Sequence, residues 1–290
     1  ANGKRIVYTT WHDQNLGTIR TVSARGGKGK VVSTEPGHYI EPSFSTDGDY
    51  ITYRKITGGY LLDPSYSNEP GIYVLNLDEK STERLANSGF EPHFGANNTR
   101  VYFTESAFNP FRETRFVSVN LNGKDKQTHL NGADKVSEYR LSTDGKWVAF
   151  VYQFKTYVAP FQTNGKTFNL GPNMSALPVK QLSSRAGSYM TWRDNNTTVG
   201  WSHAASYFER NLNEAFDFVA GASADELPEP VDSGIELSFS QATDTPDRIL
   251  AITGGKLVTM RNANTEQEVI EDSLILVDGN RITAIGKNGD

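Results

Sequence analysis

An apolar anchor, a turn residue four positions later and then two apolar residues in alternation recur along most of this chain. The copies are Phe44, Gly48, Ile51, Tyr53; Phe94, Asn98, Val101, Phe103; Leu141, Gly145, Val148, Phe150; and Trp192, Asn196, Val199, Trp201. A further copy without its anchor is Gly3, Ile6, Tyr8. Successive turn residues are separated by 45, 50, 47 and 51 residues, which is a period. Asp47, Asn97, Asp144 and Asn195 each precede the turn residue in their copy. Such pairs between alternating apolar runs predict tight hairpins whose backbone needs positive φ. A third alternating run follows at Thr18–Val22, Ile72–Leu77, Phe116–Leu121 and Tyr157–Phe161, and short polar turns such as Asp78-Glu79-Lys80 lead into a weaker fourth, as in Thr82–Leu85.

Four antiparallel strands every 40 to 50 residues or so is the repeat of a radial β-propeller, in which each blade buries its faces against the next. The predicted fold class is therefore all-β, with Tyr8, Tyr53, Phe103, Phe150 and Trp201 expected in the inter-blade core. A helical spacing shows only around Phe208, Leu212, Ala215, Phe216 and Val219, which reads as a short helix in a loop. Composition narrows the function classes. With 29 Lys and Arg against 34 Asp and Glu the net charge is −5, without a long basic run, so nucleic acid is not an expected partner. The absence of cysteine excludes disulfides and thiolate chemistry while leaving the compartment open. No apolar run reaches the roughly 18 residues of a membrane span. The start at Ala1-Asn2-Gly3 has no features of a signal peptide and reads as a cut end.

The anchor is preceded by Glu41-Pro42, Glu91-Pro92, Glu138-Tyr139 and, in the fourth copy, Ser188-Tyr189, and two copies continue with Ser-Thr-Asp-Gly. Over about residues 1 to 210 this resembles the TolB-like propeller repeat, Glu-Pro-x-Phe-Ser-Pro-Asp-Gly-x-x-Ile-x-Phe. It departs from that pattern at Thr46 and Thr143, where the family often has proline, and at Gly95-Ala96-Asn97-Asn98. By resemblance a closed propeller of this type needs roughly six blades. The expected domain spanning 1–225 is therefore a set of TolB-like blades truncated at its N-terminal side.

Beyond Glu226-Leu227-Pro228-Glu229-Pro230 the repeat stops, and 226–247 reads as a linker or a final blade strand. The segment 248–290 has a different character. Ile249–Met260 is a strand-pair candidate, and Val269–Gly286 alternates around an Asp278-Gly279 turn. Over about residues 248 to 286 it resembles the opening β-sandwich strands of metal-dependent amidohydrolases, above all in Asp278-Gly279-Asn280-Arg281-Ile282-Thr283-Ala284-Ile285-Gly286. That resemblance implies a catalytic barrel C-terminal to these residues. There a His-x-His pair would hold zinc or another divalent metal and activate water against C–N bonds. The five histidines here, His12, His38, His93, His129 and His203, have no such spacing, so no catalytic or metal residue is assigned to this chain. Sandwich strands without their partners would expose edges and favour self-association.

Glu41, Glu91 and Glu138 are candidate binding residues at the mouth of the central channel. They would hold a cation or a cationic substrate group, or else accept hydrogen bonds from backbone in each blade. His12 and His203 follow second strands and are candidate binding residues on the loops of one face, or plain loop residues. No Gly-x-Ser-x-Gly elbow and no phosphate loop occur. The expected function is the non-catalytic propeller portion of a metal-dependent amidohydrolase, positioning a peptide, a small-molecule substrate or a partner. The alternative is a non-enzymatic TolB-like propeller serving as a protein-interaction module. Resemblance places either one in the periplasm or outside the cell.

Overall fold

The computed structural model describes residues 3–57, 69–109, 111–132, 135–163, 165–221, 223–243, 247–261 and 269–289. They fall into two compact units, Ala1–Leu237 and Ser238–Asp290. The regular structure of the first unit is almost all strand and forms five successive sheets, antiparallel but for one added strand. Blade 1 contains β1 (Arg5–Thr10), β2 (Thr18–Ser23) and β3 (Lys30–Val31), and blade 2 contains β4 (Tyr39–Phe44), β5 (Tyr50–Lys55), β6 (Gly71–Asn76) and β7 (Thr82–Ala86). Blade 3 holds β8 (Phe90–Phe94), β9 (Arg100–Asn109), β10 (Phe111–Asn120) and β11 (Gln127–Gly132). Blade 4 opens with β12 (Val136–Leu141), β13 (Trp147–Tyr152) and β14 (Lys155–Pro160). The chain then leaves it to add β15 (Phe168–Leu170) in parallel to β11 of blade 3, and returns as β16 (Lys180–Ala186) beside β14.

Blade 5 holds β17 (Ser188–Arg193), β18 (Thr198–His203), β19 (Ser206–Asn211) and, after an excursion, β20 (Ile235–Glu236). Part of the 226–247 segment thus completes this blade: Ile235 and Glu236 pair with β19, and Val231 bridges Ser183. The helical spacing resolves into two pieces with a different start. Phe208 sits in β19, a 3-10 turn covers Leu212–Glu214, and α1 (Asp217–Ala220) is a single turn ended by Gly221. Phe208, Leu212, Ala215 and Phe216 are nonetheless buried together, because the turn folds back onto the blade 4–blade 5 core.

The hairpin chemistry explains why the inner two strands of each blade form. Gly48 and Gly145 take φ of 86° and 73° at their turns, and Asn98 and Asn196, with φ of 54° and 70°, do the same work in the blades that lack glycine. The alternating apolar residues then face the neighbouring blade. Four separate cores result, one between each successive pair of blades. Tyr53, Phe103, Phe150 and Trp201 are all at most 5% exposed in these cores, while Tyr8 in the first blade is only half-buried. Burying an aromatic ring of this size is worth several kcal/mol, so the repeat is held by its inter-blade faces rather than within single sheets.

In the second unit β21 (Leu250–Val258), β22 (Val269–Asp278) and β23 (Arg281–Lys287) form one antiparallel sheet. Cross-strand pairing lines up Ile252, Ile275 and Ile285 in one row and Leu250, Val277 and Ile282 in the next. Ile252 is 57% and Ile282 66% exposed, so within its own unit this sheet keeps an apolar face open. Among the described residues no helix is long and apolar enough to cross a membrane.

Candidate functional site

Every innermost strand of blades 2 to 5 carries a bulge just before its anchor. Register shifts fall between Ile40 and Ser43, Phe90 and His93, Ser137 and Tyr139, and Ser188 and Thr191. One extra residue is accommodated in each, which re-aims a side chain out of the pleat. Glu41, Glu91 and Tyr189 take φ of 54°, 56° and 56° there. The fourth copy is therefore offset by one from the sequence alignment: Tyr189, not Ser188, occupies the glutamate position.

The bulge swings these carboxylates toward the next blade. Glu41 Oε2 accepts the backbone N–H of Glu91 at 2.6 Å, and its Oε1 pairs with Arg54 Nη1 at 3.1 Å. Glu138 Oε1 accepts the N–H of Met190 at 2.9 Å. Glu91 differs, since its Oε2 is buried without a partner among the described residues. Burial, then the nearby Glu138 carboxylate, push the Glu91 pKa up to about 8, against the pull of Arg140. Burial raises Glu138 as well, opposed by its hydrogen bond from Met190.

Blade contacts at this level are reciprocal. Arg140 Nε donates to Met190 O at 3.1 Å, while Trp192 Nε1 donates to Arg140 O at 2.9 Å. His93, fully enclosed, has Nδ1 against Glu91 O at 2.9 Å and accepts the Leu141 N–H on Nε2 at 3.0 Å, which fixes the neutral tautomer protonated on Nδ1. Its pKa falls to about 3, chiefly by burial with Arg140 adding to it. At the turns, Thr46 donates both its N–H and its hydroxyl to Asn98 Oδ1 at 2.9 Å, and Thr143 does so to Asn196 Oδ1 at 2.8 and 2.9 Å.

A cavity of about 750 Å³ opens along these inner strands. Its wall includes Ser43, His93, Arg140 and Thr191, the residue immediately before each anchor, together with the anchors Phe44, Phe94, Leu141 and Trp192. Arg5 and Arg193 complete a set of three arginines, opposed by Asp194. Arg5 lies over the Phe44 ring and donates to Gly48 O, and Arg193 pairs with Glu209 at 2.8 Å. Glu41, Glu91 and Glu138 do not line the cavity; they lie behind its wall, turned into the adjoining blades. Sequence reasoning singled out these glutamates and passed over Arg140. Arg140 stands in the column one residue before each anchor, which the repeat places on the inward side of every blade.

His12 and His203 are not brought together with this cavity. His12 Nδ1 accepts the N–H groups of Gln14 and Asn15 at 3.1 Å each, closing the turn after β1, and His203 ends β18 on the surface. A second polar pair, Ser118 Oγ and His129 Nε2 at 2.8 Å, has the residue types of a nucleophile and base. Both are buried, with Tyr102, Phe116 and Phe161 packed around the imidazole, so no substrate reaches them. Among the described residues no group of three or more His, Asp or Glu is placed to hold a metal ion.

No family model matches the chain. Among curated proteins it is 27% identical over 176 residues to the Tol-Pal system protein TolB of Francisella tularensis subsp. mediasiatica (strain FSC147), and equally to that of subsp. tularensis (strain SCHU S4 / Schu 4). Each match covers 58% of this chain and 38% of the relative. Similar solved structures include TolB from Acinetobacter baumannii, at 19% identity over 71% of this chain and 48% of that one, with a TM-score of 0.49. A periplasmic gluconolactonase from Pseudomonas aeruginosa is 9% identical over 98% of this chain and 83% of that one, with a TM-score of 0.44. The chain is thus similar to curated TolB proteins over part of its length, and the match spans well under half the length of those relatives.

Proposed function

We propose that this chain is a non-enzymatic binding module, a TolB-like propeller that holds a segment of a partner protein in the cavity at its inner strands. The carrying observation is the cavity itself, walled by one inward-facing column of the repeat and by three arginines. Support for a binding role over a catalytic one comes from the side chains with catalytic residue types: His93 and His129 are held neutral chiefly by burial, with Arg140 and Arg100 respectively adding to it, and Ser118 is sealed. The TolB likeness supports a periplasmic or secreted location, which cell fractionation tests. A photo-crosslinking residue placed at Ser43, in the cavity wall, is expected to trap a partner in cells expressing the gene, whereas the same residue at Glu83 on β7 is not. Equal trapping at both positions, or none at Ser43, overturns the reading.

The second reading makes this the front of a metal-dependent amidohydrolase, with the propeller positioning substrate for a barrel elsewhere in the parent chain. The three-stranded sheet with its open apolar face supports it, as a piece of a β-sandwich awaiting further strands. On this reading the gene encodes a His-x-His pair downstream of these residues, and the 290 residues alone turn over no amide substrate with added zinc. Turnover by the 290 residues excludes it.

A further inference from the structure

We infer that the inner-strand cavity is a carboxylate-binding site whose anchor is the Arg140 guanidinium. This rests on the binding-module reading and adds the chemistry of the ligand.

Arg140 is held from both ends of the residue. Its Nε donates to Met190 O at 3.1 Å, and its own carbonyl accepts Trp192 Nε1 at 2.9 Å. With Nε engaged, its Nη1 and Nη2 atoms make no hydrogen bond, and no carboxylate lies within 4.0 Å of them among the described residues, although Arg140 forms part of the cavity wall. A planar fork of N–H donors in that state matches the two oxygens of a carboxylate. Glu91, Glu138 and Glu41 lie near enough to favour its charged form against burial, but none of them pairs with it directly. Glu41 is paired with Arg54, and Glu138 accepts the Met190 N–H. Glu91 is the remaining carboxylate, and its buried orphan oxygen sits where burial and Glu138 favour the protonated form. A buried or half-buried cation lacking a close partner gains most from an anion delivered to it in a water-poor cavity. Phe44 and Trp192, half-buried in the same wall, accept an apolar body attached to that carboxylate.

The carboxylate can belong to a peptide C-terminus, an acidic side chain or a small organic acid, and a titration panel separates these. Probes are acetyl-Leu-Phe as the free acid, its C-terminal amide, acetyl-Asp-Phe amide, benzoate and inorganic phosphate, followed by calorimetry. The expected result is that at least one carboxylate probe binds at least tenfold more tightly than the uncharged amide and than phosphate. Arg140→Lys keeps the charge but not the fork, and should weaken that probe about tenfold or more. Arg185→Gln, an exposed arginine on β16, should leave binding within about twofold. If Arg140→Lys fails to fold, Ser43→Asp serves instead, because a carboxylate in the same wall repels an anion in the cavity and should weaken acid binding about tenfold or more while sparing the amide. Equal binding of acid and amide, phosphate binding as tightly as any acid, or no response to any carboxylate overturns the proposal. If those failures occur while a crosslinker at Ser43 still captures a partner, the binding reading survives and only the ligand chemistry is wrong.

Discussion

Glu91 and the two buried histidines set opposite pH limits on stability. Glu91 has a folded pKa of about 8 against 4.5 for the free side chain, so its contribution is intact below about 4.5 and is lost as pH rises toward 8. His93 and His129 are depressed to about 3 and about 4 from 6.5, so theirs is present above 6.5 and is lost as pH falls through those values. Glu91→Gln should therefore raise the denaturation midpoint at pH 8 while changing it little at pH 4.5; equal shifts at both pH values would reject the assignment. The turn threonines are equally specific. A proline has no N–H to give, and the two positions where this chain has threonine instead are those whose N–H reaches an asparagine of the next blade. Asn98→Ala removes the acceptor of two bonds and should cost about 1–3 kcal/mol, with coupling to Thr46 of at least about 0.5 kcal/mol in a double-mutant cycle. These departures from the repeat pattern were visible in the sequence, but their pairing was not, because partners about fifty residues apart meet only once the blades stack. Arg140 was invisible for a related reason: one arginine in a column otherwise holding Ser43, His93 and Thr191 makes no motif.

Strands were readable wherever alternation and a turn residue coincided, as at β5, β6, β9 and β13. They were unreadable where neither occurred. β15 and β16 come after a long excursion, and nothing in Phe168–Leu170 says that it joins the preceding blade rather than its own. The alignment of Ser188-Tyr189 slips by one because no glutamate marks that copy; the three-residue spacing to the anchor and the bulge register both put Tyr189 there. The bulges themselves leave no periodic trace, yet they are what turns Glu41 and Glu138 onto the next blade. Packing between elements predicts the heavier losses. Trp201→Ala, at 1% exposure in the blade 4–blade 5 core, should cost about 3–5 kcal/mol of unfolding free energy. Phe239→Ser, at 83% exposure, should change it by less than about 0.5 kcal/mol.

The whole molecule divides at Leu237 into a unit with several enclosed cores and one whose apolar residues remain open within it. The period of the repeat announced the first in the sequence, since one pattern recurs across four inter-blade faces. The second was recognisable as strands, but a single sheet says nothing of what covers it. Ile252→Lys combined with Ile282→Lys should shift any self-associated population toward monomer in sedimentation, and an unchanged distribution would remove the open face as its cause. The parallel strand borrowed by blade 3 has a consequence for how the protein is made. On the ribosome that sheet stays unfinished until the chain has been synthesised through Leu170, beyond the first three strands of the following blade, so assembly of the repeat cannot run strictly one blade at a time.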